Sequence, residues 1–207
     1  SEIVQLLRPE PPASSFAYES HVPVLYGVVE RRLQAQDQDQ EVKECAITCM
    51  GLLVYHLADH PAVNLTTILP LLLERMRNEI TRVTTVKTFA LIAGAKLDVK
   101  LATPANGGPV LQLAVTELCA FLRKSNRPLR QASLTALDVL IGKHSSALPD
   151  ADVATTIQEL SALVTDADLH VAHLALTLGK TITITKSSTM VQPLKEILLP
   201  KALTLLQ

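Results

Sequence analysis

Apolar positions along this chain recur at three- and four-residue spacing, in segments of helical length separated by short runs of Asp, Asn, Ser, Gly and Pro. The pattern is sharpest from Leu71 to Gly94, LLLERMRNEITRVTTVKTFALIAG, which predicts the end of one helix, a tight polar turn and most of a second helix. Leu71, Leu72, Leu73 and Met76 supply the apolar face of the first, and Arg75, Arg77, Asn78, Glu79 and Arg82 crowd the turn. Val83, Val86, Ala90 and Ala93 fall on one face of the second.

The same pattern continues in both directions. His21 to Gln36 predicts a helix with Val22, Leu25, Val28, Val29 and Leu33 in phase, and Asp37 to Gln40 a turn. Glu41 to about Ala58 completes the hairpin. Further hairpins are expected at about 62–95, 109–143 and 150–185, the first occupying about 15–58. Residues 1–8 read as the end of a preceding helix stopped by Pro9, Pro11 and Pro12, because proline cannot continue one. Residues 190–207 read as the first helix of a further unit. Pro70 predicts a kink inside its helix, and residues 96–108 a surface loop. Thr181-Ile182-Thr183-Ile184-Thr185 is a conflict: its alternation is that of a strand, whereas its register places it at the end of a helix with no partner strand. The register is preferred.

That register is a repeat. Val86-Lys87-Thr88-Phe89-Ala90 has a clear copy in Val42-Lys43-Glu44-Cys45-Ala46, and looser ones begin at Leu129 and Val171, in steps of 44, 43 and 42 residues. Two helices per unit at a period of roughly 40–47 residues are the signature of a HEAT or armadillo solenoid. The expected fold is therefore all-α: a single solenoid fragment over residues 1–207, about four antiparallel helix pairs with half units at the ends. Neither end shows the polar-faced unit that closes such arrays, so both look cut from a longer solenoid, and self-association through the uncapped ends, with Leu203 and Leu206 exposed, is expected.

Composition agrees. Aromatics are 3% and Trp is absent, which suits a Leu/Ala/Val core of packed helices better than a sandwich of sheets. No apolar run reaches the ~18 residues a membrane span needs and no basic-then-apolar leader opens the chain, so a soluble intracellular protein without membrane partners is expected. Cys45, Cys49 and Cys119 make an odd number without framework spacing and read as buried thiols.

Net charge is −1, but its distribution is uneven. Leu72 to Arg130 holds ten Lys/Arg against four Asp/Glu, a net +6, and the remainder nine against sixteen, a net −7. Arg75, Arg77, Arg82, Lys87, Arg123, Lys124, Arg127 and Arg130 cluster around the turns and second-helix starts of two consecutive hairpins. Stacking aligns equivalent positions, so these eight are candidate partner-binding residues that would steer an acidic surface. The competing reading makes them solvated helix ends, paired with Glu74, Glu79 and helix C-terminal carbonyls. Lys43, Lys87 and Arg130 each follow the repeat's landmark by one position, and for Lys43 and Lys87 a ladder to acids of a neighbouring turn, with Asp37 and Asp166 as plausible acceptors, is the favoured role.

Other constellations fail. Cys45 and Cys49, followed by His56 and His60, have helical ligand spacing, but Ala46, Met50 and Leu53 suggest that the cysteines pack in the core. His170 and His173 lack a completing ligand. Gly179-Lys180-Thr181 imitates the end of a phosphate loop, yet Leu174 stands where that motif needs glycine and a helix precedes it. Gly142-Lys143-His144-Ser145 suggests a capping loop only. No catalytic, metal or cofactor site is expected.

Five segments carry a family resemblance: EVKECAITCMG from Glu41, LLERMRNEITRVTTVKTFALIAG from Leu72, FLRKSNRPL from Phe121, LTALDVLI from Leu134 and DADLHVAHLAL from Asp166. In this order and spacing they resemble the central HEAT repeats of the cullin-associated, neddylation-dissociated family, from about Val4 to Leu176. The resemblance implies a helical superhelix that wraps a cullin with its RING-box subunit, binds cullins lacking the ubiquitin-like modifier, and exchanges their substrate-receptor modules, in cytoplasm and nucleus. It implies a scaffold and not an enzyme. Another HEAT adaptor, such as a transport receptor or phosphatase scaffold, is the nearest alternative. A helical-repeat nucleic-acid binder is a third, disfavoured because Phe89, Phe121 and three tyrosines are too few and wrongly placed for base stacking.

Overall fold

Asp39, Asn64, Asn126 and Asp168 start four of the helices in the same way. Each side-chain oxygen accepts from a backbone N–H of the first turn, at 3.1 Å to Glu41, 3.1 and 3.3 Å to Thr66 and Thr67, 2.9 Å to Leu129, and 3.1 Å to Val171. A first turn leaves those donors without an intrahelical acceptor, so short acceptor side chains set where each helix begins. The computed structural model describes residues 18–35, 39–102, 104–105 and 107–205. The expected helix end at residues 1–8, Asp37 and Leu206 lie outside them.

The chain divides into two compact units, Ser1–Asn106 and Gly107–Gln207. In the first, α1 (Val22–Gln34) pairs with α2 (Gln40–Leu57) and α3 (Leu65–Arg77) with α4 (Arg82–Ala93), while α2 packs along α4. In the second, α5 (Val110–Leu122) pairs with α6 (Arg127–His144) and α7 (Asp150–Ser161) with α8 (Leu169–Thr185); α6 packs along α8 and α5 along α7. The chain continues as α9 (Ser187–Pro193), a π-helical turn at Leu194–Leu198 and α10 (Leu199–Thr204), the first two laid against α7 and α8. Both units are thus stacks of helical hairpins in which second helix packs on second helix, the HEAT-type solenoid arrangement.

The contact between second helices is close because small residues sit in it. A Cβ on Gly51 of α2 would lie 2.4 Å from Cγ2 of Thr88 on α4, and one on Gly142 of α6 would lie 3.4 Å from Cγ2 of Thr181 on α8. Gly107 and Gly108 serve a different need, with φ of +101° and +138°, backbone that residues with a Cβ rarely adopt.

Three expectations change in detail. The buried face of α4 runs through Val86, Phe89, Ile92 and Ala93, with Thr85 and Thr88, while Val83 and Ala90 are only half-buried. Phe89 is the larger apolar group and takes the core position, which rotates the face away from the one that spacing alone selects. In α1 the core residues are Val22, Tyr26 and Leu33, and Val28 is 43% exposed. Cys45 is exposed and Cys49 half-buried, leaving Cys119 as the buried thiol. The buried arc of α2 passes through Ala46, Ile47, Met50 and Leu53; each cysteine precedes an arc residue by one position, roughly 100° around the helix.

Thr181–Thr185 is the last stretch of α8. Its hydroxyls explain why a β-like sequence stays helical: Thr183 donates to the Gly179 carbonyl and Thr185 to the Thr181 carbonyl, each at 2.9 Å, while Thr181 donates to Asp138 Oδ1 at 2.5 Å. Ile182 is buried and Ile184 exposed. α3 runs through Pro70 without a break.

Candidate partner-binding surface

The eight basic residues divide four and four between the units, and their surroundings differ. In the first unit Arg75, near the C-terminus of α3, donates from Nε and Nη2 to the Leu33 carbonyl at 3.3 and 3.0 Å. That carbonyl lies at the C-terminal end of α1, where a helix carries partial negative charge, so Arg75 ties one hairpin to the next. Arg82 reaches back across the turn to the Arg77 carbonyl at 3.0 Å. Thr81 donates to the Arg75 carbonyl at 2.8 Å, and Asn78 accepts from the Ile80 N–H at 3.0 Å. Side chains thus brace the whole α3–α4 turn. It exposes Asn78, Glu79 and Ile80, the last 57% exposed, with Arg77 exposed beside them and Lys87 exposed on α4.

In the second unit two of the arginines are engaged by carboxylates of the following hairpin. Arg123 forms a two-pronged pair with Glu159, its Nε donating to Oε2 at 2.9 Å. Arg127 does the same with Asp168, at 2.5 Å from Nε and 3.2 Å from Nη2. Asp168 also caps α8, so one carboxylate both begins a helix and binds the start of α6. The Arg127 hydrogen bonds, aided by the Val171 N–H, hold its carboxyl down to about 2 from the usual 3.8. Arg123 lowers Glu159 in the same way. Lys124 is exposed and Arg130 half-buried.

Further bonds of the same span occur in this unit, within a hairpin as well as between hairpins. Lys186 donates to Asp150 Oδ1 at 2.8 Å and to the Leu148 carbonyl at 2.9 Å, and Cys119 lies 3.3 Å from the Thr156 hydroxyl. With Arg75, Arg123, Arg127 and Thr181, these contacts connect positions 36 to 43 residues apart, about one repeat. A ladder between hairpins therefore exists. The acids expected for it, Asp37 and the side chain of Asp166, lie outside the described residues; Glu159 and Asp168 fill the role for Arg123 and Arg127. Acids one repeat downstream of those arginines were the available sequence signal. Ile80 had a signal too, as a lone apolar residue in a polar turn.

His170 and His173 are exposed. Among the described residues no three His, Cys, Asp or Glu side chains are placed to hold a metal ion, and no helix is long and apolar enough to cross a membrane.

A family profile described as CAND1-like, TPR repeats matches residues 1–50. The cullin-associated NEDD8-dissociated protein 1 of Arabidopsis thaliana is 39% identical over 208 residues, which is 100% of this chain and 17% of that protein. The chain belongs to the cullin-associated NEDD8-dissociated protein family. The mouse (Mus musculus) cullin-associated NEDD8-dissociated protein 2 is 44% identical over 78% of the chain and 13% of the relative, and the Drosophila melanogaster protein 1 is 37% identical over 87% and 14%. The chain thus spans about a sixth or less of the length of these relatives. The profile's label mentions TPR repeats, whose period is about 34 residues. The 42- to 44-residue steps of this family member are those of HEAT units.

Proposed function

We propose that this chain is a binding segment of a cullin regulator, lying along an unmodified cullin that carries its RING-box subunit, within a protein that promotes exchange of substrate-receptor modules in cytoplasm and nucleus. The observation that carries this reading is identity along the entire chain to a protein named for its association with cullins. The fold supports a scaffold, since within each unit the hairpins stack and repeat-spaced bonds hold them together.

Within the basic cluster, two exposed members suit partner contact: Lys87 in the first unit and Lys124 in the second. Arg75, Arg123 and Arg127 would have to give up internal bonds. The test is capture of an unmodified cullin–RING-box complex by this chain and by the double variant Lys87→Glu, Lys124→Glu. Capture that falls several-fold in the variant and weakens with salt supports the surface. Equal capture by the variant removes it, and no capture by the parent chain or the longer protein removes the cullin reading.

The same reading includes the expected self-association through Leu203 and Leu206; Leu206 lies outside the described residues, while Leu203 is 52% exposed on α10 with Leu199 beside it at 48%. Sedimentation that stays monomeric as concentration rises removes that part.

A further inference from the structure

Cys45 and Cys49 stand on successive turns of one face of α2, with Sγ atoms 3.9 Å apart. Cys45 is exposed and Cys49 half-buried, so both sulfurs are reachable from outside. They open on a groove of about 310 Å³ between α1 and α2, walled by Val28, Val29, Val42 and Ala46. Its two charged residues are Arg32 and Glu41.

The separation decides what can bridge the pair. A disulfide needs β-carbons roughly 3.5–4.5 Å apart, whereas residues four apart on a helix hold theirs at about 5–6 Å. Closing that gap would distort α2 where Ala46, Ile47, Met50 and Gly51 are buried. A single bridging atom meets no such obstacle. At a metal–sulfur distance of about 2.3 Å, sulfurs 3.9 Å apart subtend roughly 115°, close to trigonal, with the third position open to solvent. Thiolates select soft ions, and two sulfurs without a third or fourth protein ligand suit an ion of low coordination number.

We infer that Cys45 and Cys49 form a bidentate thiolate site for a soft, low-coordinate cation of the copper(I) type. Binding releases two protons: two thiols and one Cu⁺ give a bis-thiolate complex of charge −1 and two H⁺. No electron changes hands, and affinity rises with pH because protons compete with the metal. Arg32 offers the complex a compensating charge and Glu41 opposes it.

The experiment titrates the 207-residue chain anaerobically with copper(I) against the chromophoric chelator bicinchoninate, with native mass spectrometry for stoichiometry. The expected result is one copper per chain, weakened about 100-fold or more by either Cys45→Ser or Cys49→Ser, since each removes half of a chelate, and retained by Cys119→Ser. Cys45→Ala and Cys49→Ala, checked for helicity by circular dichroism, must reproduce the loss. Copper that the parent chain yields entirely to the chelator, or that single variants keep undiminished, overturns the assignment.

Discussion

Asp168 shows how much one residue can carry. Its carboxylate caps α8 and binds Arg127, and its pKa falls to about 2 from 3.8 because both interactions favour the charged form. A group whose folded pKa is depressed adds stability that is complete above its unfolded value and disappears as pH falls through the folded one. The increment is therefore full above about pH 4 and is lost between there and pH 2. Urea midpoints between pH 5 and pH 2.5 should fall in the parent chain and fall less in Asp168→Asn, which retains a capping oxygen; Glu159, lowered by Arg123, contributes to the remainder. Gly51 is the opposite case, important for what it omits. Gly51→Ala places a methyl against the buried, β-branched Thr88 and should destabilise by roughly 1–3 kcal/mol despite alanine's better helix propensity. Thr88→Ala, by removing Cγ2, should cancel most of that penalty in a double-mutant cycle. Gly179→Ala meets the flexible ends of two leucines, Leu198 at 2.5 Å and Leu194 at 3.9 Å, and should cost less.

At the scale of elements, helix starts were readable and helix faces less so. Asn64 and Asn126 stand before apolar-periodic runs and cap as such residues do, because their oxygens satisfy first-turn donors. Asn64→Ala should lower stability by about 1 kcal/mol, measured by chemical denaturation. The faces of α1 and α4 escaped because periodicity weights Val, Ala and Leu alike, while packing gives core positions to the side chains that fill them, Tyr26 and Phe89. Thr181–Thr185 shows a local preference overruled. Its alternation is real, but hydroxyls bonded to carbonyls four residues back and to Asp138 make the helix self-sufficient. Thr181→Val keeps the shape and removes the Asp138 bond, and should cost about 1 kcal/mol.

At the scale of the molecule, function rests on which parts of a repeated surface face outward. The basic segment was visible as an excess of charge, yet three of its eight members serve the stack by binding a carbonyl or a carboxylate of an adjacent hairpin. The α3–α4 turn, braced by Asn78, Thr81 and Arg82, instead offers Ile80 as a fixed apolar knob. Rigid exposed apolar anchors bind at low entropic cost. If this turn contributes to the proposed cullin contact, Ile80→Asp should reduce capture by tenfold or more with little change in melting temperature, since most of the side chain faces solvent. Unchanged capture removes the turn from the interface.

The sequence by itself determined the helices, their pairing and their repeat, because these follow from local periodicity, capping chemistry and a 42- to 44-residue recurrence written into the chain. It also determined the family, through identity spread along all of it. Tertiary structure alone decided which arginines are engaged, which glycines are squeezed, and that Cys45 is exposed and Cys49 half-buried rather than both in the core. Each depends on what a neighbouring hairpin or the partner helix brings alongside, at a distance no periodic pattern records.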